Sequence, residues 1–514
     1  MHRFITRHAD KITGVLSGFD RLVFRGQLLP LCHDEGVRQF LTSQGVLLKH
    51  FGKFVETVTA MIRDGAATVA GRLGLPVRYL ESSRVRKEDV ANRILAERPI
   101  RSGAICMLSI VEPCSSWQVR RSREHKHPQQ LLRRFTKCLH HYHYFLDSEL
   151  GFCHVRVQTW MPYMVQICIN GREWLGRQLQ RERLRHTRAD NCFPHLASPD
   201  RVHEIMDEML RLPWPSVLGN LIRRANPVLA DVADAARSNY YWTVHQAEWA
   251  TDIMFKDPGS LARSYPALVR HALTDFQSPD VLRFLAKRSS SYRGEVTTDY
   301  KRRVEGVRVK HSAKANSVKM YDKAGSVLRV ETTINQPGEF KVRRRAQGKP
   351  DSDRQMRPLR KGIADIRALA RTADRSNRAY LDALSVVDDS HTVAEIVMPV
   401  TNHTSIGGRR LRGLRPWADP DLPLLQAIGR GEFLLHGFRN RDLVPLLFPG
   451  AVASDQRKKL SAKVTRLLRL LRAHGLIKKV EGTHRYNVTT AGRRLIAAVV
   501  AAGAASLSQL KQCA

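Results

Sequence analysis

SDQRKKLSAKVTRLLRLLRAHGLIKKVEGTHRYNVTTAGRRL, residues 454–495, carries two periodicities in succession. Leu460, Val464, Leu467, Leu468 and Leu471 recur at spacings of three and four, the pattern of one buried helix face. Ser454-Asp455 can cap the start, and Gly475 falls where a helix ends in the left-handed conformation. Ile477 to Val480 and Tyr486 to Thr489 then read as two strands around the turn Glu481-Gly482-Thr483. A closing helix begins near Thr490. Upstream, Arg441 to Leu447 reads as a helix stopped by Phe448-Pro449-Gly450, and Leu422 to Ile428 as a shorter apolar one.

Three helices, a hairpin and a further helix make the plan of a winged helix. The run Gly475-Leu476-Ile477 through Tyr486-Asn487-Val488-Thr489 to Gly492 resembles the wing of MarR-like bacterial regulators, over about the last ninety residues. Arg457, Lys458, Lys463, Arg466, Arg469 and Arg472 lie away from the leucines. Such a helix suits a major groove, while His484 and Arg485 near the wing tip suit phosphates. An ordinary solvated helix or a protein-protein module would show the same stripe. Six cations on one helix repel unless an anion meets them, which favours nucleic acid, above all double-stranded DNA.

The whole chain has the same bias. Its 514 residues exceed what one hydrophobic core usually supports, and 85 Lys and Arg against 48 Asp and Glu leave a formal charge of +37. That balance points to a polyanionic partner. A membrane is not expected, because no long basic amphipathic or spanning segment is visible and charges interrupt any leader-like core at the N-terminus. Eight cysteines without a CxxC pair read as reduced thiols of a cytoplasmic protein.

Taken in order, the sequence predicts a mixed α/β, α+β protein of several domains: residues 1–197, 198–387, a linker 388–420 and the winged helix 421–514. Val15 to Arg25 is the first strand, with Asp20, Leu22 and Phe24 on one face and Phe19, Arg21 and Val23 on the other. Strand and helix then alternate up to Ala104 to Val111, and hairpins follow between Trp117 and Ile169. A helix-rich stretch leads to the extended segment Asn239 to Phe255. Strands resume after Gly294, and a long helix spans Gly362 to Val387. Residues 301–361 hold eighteen Lys and Arg against six Asp and Glu, a second basic region beside Trp249, Tyr300 and Tyr321. No internal repeat is visible.

Asp20, Asp252, Glu295, Asp299 and Glu331 all fall on expected strands or their ends. Two or three carboxylates converging on a sheet are what Mg²⁺ or Mn²⁺ needs for phosphodiester chemistry; pairing with neighbouring arginines is the plainer reading. Ser317-Val318-Lys319-Met320-Tyr321-Asp322-Lys323 followed by Leu328-Arg329-Val330-Glu331 resembles the Tyr-Asp-Lys … Arg-x-Glu hairpin of replication initiation factors, the rolling-circle and conjugative-element initiators. Gly18-Phe19-Asp20-Arg21-Leu22 resembles an early strand of that family. The resemblance covers some twenty residues. It implies metal-dependent DNA nicking through a tyrosine, with Tyr321 and Arg329 in the catalytic set and Asp20, Glu331 and Asp252 on Mg²⁺ or Mn²⁺. Tyr240, Tyr241 and Tyr300 also lie near acids, so the attacking phenol stays open.

Cys138, His140, His141, His143, Cys153 and His154 form a second cluster. Zinc is set aside there, because alternation puts His140 opposite His141 and His143 and no pair has zinc-finger spacing. No nucleotide-binding loop or serine-hydrolase elbow occurs. The expected function is that of a mobile-element or plasmid DNA-binding protein that nicks DNA to initiate replication or mobilisation. A non-enzymatic regulator with structural acids, or an RNA-binding protein, is the alternative.

Overall fold

The computed structural model describes residues 1–514 apart from 122–128, 288–291, 304–305, 347, 350, 386–392, 431–432, 434–436, 450–453, 481 and 505–514. The chain forms two compact units, Met1–Val387 and Asp388–Ala514. Each is mixed α/β, and among the described residues no helix is long and apolar enough to cross a membrane.

In the first unit one sheet of eleven strands draws on residues either side of position 197. Its strands are β1 (Ile12–Gln27), β2 (Val77–Leu80), β3 (Gly103–Arg121), β4 (Gln129–Asp147), β5 (Gly151–Gln158), β6 (Val165–Asn170), β9 (Tyr241–Phe255), β10 (Val296–Arg303), β11 (Gly306–Ala313), β12 (Asn316–Lys323) and β13 (Val327–Ile334). A separate hairpin, β7 (His186–Ala189) and β8 (Cys192–Leu196), lies between β6 and β9 in sequence. The order across the sheet is β10-β11-β12-β13-β9-β1-β6-β5-β4-β3-β2.

That order contains a duplication the sequence does not display. A long strand (β1 or β9) leads through helices to four antiparallel strands (β3 to β6, or β10 to β13). The last of the four returns to pair with the first strand, and a helix follows, Gly171–Arg181 or, after a small hairpin, Ile366–Leu384. The halves join where β1 and β9 run antiparallel. Among the described residues only the short β2 pairs in parallel, with β3, so the expected α/β alternation becomes a largely antiparallel sheet.

The break expected near Val111 is absent, since β3 continues to Arg121. Pro113 is tolerated there because β2 covers only Met107 to Ile110, leaving the edge of β3 free where the proline lacks its N–H. The helix Ile366–Leu384 packs across β9 and β13. Its buried Asn377 amide donates to the Trp249 and Val330 carbonyls, both at 3.0 Å, and Thr332 Oγ1 donates to Asn377 Oδ1 at 2.7 Å. Strand alternation therefore puts Thr251 and Thr332 under this helix, and Glu248, Asp252, Arg329 and Glu331 on the opposite face.

In the second unit, residues 393–414 are more than a linker. A helix, Val393–Thr401, and a hairpin, Thr404–Ile406 with Arg409–Leu411, place Val397, Val400 and Leu414 in that unit's core. Helices Asp421–Ile428, Asn440–Leu447 and Ser454–Ala473 follow, then Ile477–Lys479, Arg485–Val488 and the helix Thr490–Ala504. A two-residue strand that the sequence did not suggest, Phe438–Arg439, pairs with Arg485–Val488 to make a three-stranded sheet.

Candidate metal and nucleic-acid site

The site begins with an irregularity in β1. Phe19 pairs with Trp249 and Arg21 with Glu248, so Asp20 is an extra residue in the ladder. Such a bulge re-aims side chains. It resets the alternation, so Phe19, Leu22 and Phe24 all enter the core, and the expected division of faces does not hold across Asp20. Asp20 turns to the face that carries Glu248, Arg329 and Glu331.

Carboxylate oxygens of Asp20, Glu248 and Glu331 lie within 4.8 Å of one another, an arrangement that could hold a metal ion. Asp20 and Glu331 are buried, and Glu248 is half-buried. Burial raises the Asp20 carboxyl pKa; Arg329 opposes this and Glu331 adds to it. Burial also raises that of Glu331, with Lys319 opposing and Glu248 adding. Asp20 and Glu331, two buried acids on one spot, resist joint ionisation beyond what Arg329 and Lys319 offset, and a further cation would relieve that. The all-oxygen donor set fits a hard divalent ion such as Mg²⁺ or Mn²⁺.

The surrounding cations are fixed unequally. Lys319 Nζ lies 2.6 Å from Glu331 Oε1, and Tyr321 Oη donates to Glu331 Oε2 at 2.8 Å. Arg329, 1% exposed, donates to Asp252 Oδ1 at 2.5 Å, Asp252 Oδ2 at 2.9 Å and Asp20 Oδ1 at 3.1 Å, and to the Asn191 carbonyl at 2.7 Å. Arg172 Nη2 meets Asp252 Oδ2 at 3.1 Å. Asn191, on the β7–β8 turn, donates to Asp20 Oδ1 at 2.7 Å.

Asp252 therefore stands apart from the ligand group. Burial works against its ionisation, yet Arg329 and Arg172 hold its carboxyl below the usual range. Both its oxygens are occupied by guanidinium groups, and Glu248 takes the third place expected for it. Arg329 is likewise a buried clamp on two carboxylates, not a cation open to a phosphate. Asp322, next to Tyr321, falls on the other face of β12. Glu295 and Asp299 are exposed at the outer strand.

Of the four tyrosines considered, Tyr321 is the one bonded to an acid of the trio. Tyr240 Oη donates to the Tyr163 carbonyl, Tyr241 is exposed at the far end of β9, and Tyr300 shares its face of β10 with Thr298, which bonds His311 beneath the helix Ile366–Leu384. Burial, then Glu331, raises the Tyr321 phenol well above its ordinary pKa, so it rests protonated.

Two groups of basic side chains share the trio's face of the sheet. The Lys310 ammonium pKa is lowered by burial and then by Arg308 and Lys319. That of the Arg25 guanidinium is lowered by burial and by Arg156 and Arg133, and that of His245 falls to about 4 through burial and the nearby Arg25, Lys361 and Arg156. Cations that depress one another's charge make a ready site for an anion.

The expected histidine-cysteine cluster is divided between faces, as alternation requires. His141 Nδ1 bonds Ser109, whereas His140 lies with Cys138. Cys114 and Cys138 are joined in a disulfide across β3 and β4, so these two are not the reduced thiols that composition suggested. Cys32, Cys106, Cys153, Cys168 and Cys192 are free, and Cys513 lies outside the described residues.

In the second unit Lys458, Lys463, Arg466 and Arg472 are exposed along the helix Ser454–Ala473, and Arg469 is half-buried; the Arg457 side chain lies outside the described set. Val464, Leu467, Leu468 and Leu471 face the core. His484 is exposed in the turn and Arg485 half-buried on the next strand. No protein-family model matches this chain, and no curated protein or solved structure is found similar to it.

Proposed function

We propose that the protein is a DNA-binding, divalent-metal-dependent strand-nicking enzyme of the replication- or mobilisation-initiator kind, with Tyr321 as the nucleophile. The observation that carries this reading is the Tyr321–Glu331 hydrogen bond at the edge of the Asp20, Glu248 and Glu331 trio. Glu331 Oε2 is placed to take the phenolic proton as Tyr321 Oη attacks a phosphodiester phosphorus. One P–O bond forms and one P–O bond breaks; the leaving sugar oxygen gains a proton from water, and the other strand end stays on the tyrosine. Mg²⁺ or Mn²⁺, when bound by the trio, supplies positive charge to polarise the phosphate. Lys319 is the side chain placed to follow that charge to the phosphate oxygens, and Arg329 holds Asp20 and Asp252 in position. The flanking cations give the DNA backbone a track along the sheet.

The second unit is read as a winged helix that selects duplex sequence through Arg466, Arg469 and their neighbours. The test is relaxation of a supercoiled plasmid carrying the DNA that flanks the protein's own gene. Cleavage is expected with Mn²⁺, lost with chelator and lost in Glu248→Gln. Cleavage by Glu248→Gln at the parental rate would remove the metal role.

A further inference from the structure

A second group of side chains that could hold a metal ion lies in the other half of the sheet. The Cys114 and Cys138 sulfurs and one His140 ring nitrogen lie within 4.8 Å of one another, and all three residues are buried. Cys114 comes from β3, Cys138 and His140 from β4, so the group could not be found by spacing within one strand. His140 Nδ1 bonds the Cys138 carbonyl at 3.0 Å. The carbonyl can only accept, so Nδ1 carries the proton and Nε2 keeps its lone pair. Nε2 is buried and, among the described residues, has no hydrogen-bond partner. A disulfide alone gives that lone pair nothing to bind, whereas an imidazole oriented through a backbone carbonyl is the common arrangement of a zinc ligand. Two thiolates and a neutral imidazole also neutralise a divalent ion, which suits a buried place.

We propose that Cys114, Cys138 and His140 form a redox-gated site for a thiophilic divalent cation, Zn²⁺, open when the pair is reduced and closed by the disulfide. Opening is a thiol–disulfide exchange. A dithiol reductant adds two electrons to the Cys114–Cys138 bond, yields two protein thiols and becomes a disulfide itself. Zn²⁺ then displaces the two thiol protons to solvent. The sulfur and nitrogen donors separate this site from the all-oxygen trio, which takes harder ions. The proposal is independent of the nicking reading.

The test uses the full chain, reduced by a dithiol, freed of reductant under anaerobic conditions and titrated with Co²⁺. One equivalent should develop thiolate-to-cobalt charge-transfer absorption, which the oxygen trio cannot produce, and Zn²⁺ should displace it. The unreduced protein and Cys138→Ser should lack the band. His140→Gln should weaken Co²⁺ binding at least ~10-fold, while His141→Gln, on the other face, should not. If the variants fold poorly, the reduced parent still decides: Zn²⁺ should protect Cys114 and Cys138 together from alkylation, read by peptide mass spectrometry. Absence of the charge-transfer band in the reduced parent, its persistence in Cys138→Ser, or alkylation of both cysteines at the same rate with and without Zn²⁺ would each overturn the proposal.

Discussion

Tyr321 and Glu331 sit on adjacent strands one diagonal step apart, and the phenol donates to the carboxylate at 2.8 Å. Tyr321 pairs directly with Arg329, and Glu331 with Lys319, so acid, phenol, ammonium and guanidinium alternate on a single patch of hairpin. The patch becomes a site because β9 and the bulged β1 bring Glu248 and Asp20 against it. Its acids differ in what replacing them should do, and that difference is measurable.

Glu248 and Asp252 are four residues apart on one face of β9 but hold unlike partners. Glu248 takes a hydrogen bond from Gln246 at 2.8 Å and belongs to the trio; Asp252 is 0% exposed between two arginines. Glu248→Gln is expected to weaken Mn²⁺ binding, read by calorimetry, with a stability change under about 1 kcal/mol. Asp252→Ala strands two buried guanidinium groups and should destabilise the first unit by about 3–5 kcal/mol in urea denaturation. The reverse pattern would exchange their roles.

The raised carboxyl of Glu331 sets the sign of a pH effect. Its folded pKa lies above the unfolded value, so the unfolded chain ionises first as pH rises and the parent loses stability there relative to Glu331→Gln. Without metal the difference should grow as pH rises above the ordinary carboxyl value of about 4.5, and it should shrink when Mg²⁺ is added. A flat difference in metal-free buffer would contradict the buried, charge-crowded acid.

The histidines of β4 act in the opposite direction. Burial lowers His140 and His143 to about 3 and His141 to about 4, so the unfolded chain takes up protons first as pH falls below 6.5. Each should withdraw about 1.4 kcal/mol per pH unit in that window. The acid-side slope of unfolding free energy should fall by about one proton in His143→Gln. An unchanged slope would show that His143 does not stay neutral.

For the second unit, reversing Arg466 and Arg469 to Glu should weaken specific duplex binding by at least ~1–3 kcal/mol and reduce the salt slope. Gel shifts at two salt concentrations check both. Parental affinity would mean that another surface reads DNA.

Part of this arrangement is legible in the sequence. The leucine spacing from Leu460 to Leu471 and the Gly475 stop mark the helix Ser454–Ala473 closely, since an amphipathic helix writes its period locally. Asp20 and Glu331 stand out as acids on strands of a basic protein. Glu248 does not, because its place depends on the bulge at Asp20, and a bulge leaves no mark in alternation until the partner strand is known. Asp252 misleads for a related reason: local sequence does not show that Arg172, eighty positions away, closes it off. The duplication of the sheet is equally invisible, because its halves share an order of strands and not a pattern of residues.

Tyr321 is the residue proposed to take the DNA strand. The direct measurement is peptide mapping of the covalent adduct trapped when the protein cleaves supercoiled DNA in Mn²⁺. A nucleotide-bearing peptide that contains Tyr321 is expected, and none in Tyr321→Phe. An adduct on Tyr240, Tyr241 or Tyr300, or cleavage by Tyr321→Phe with its adduct intact, would contradict it.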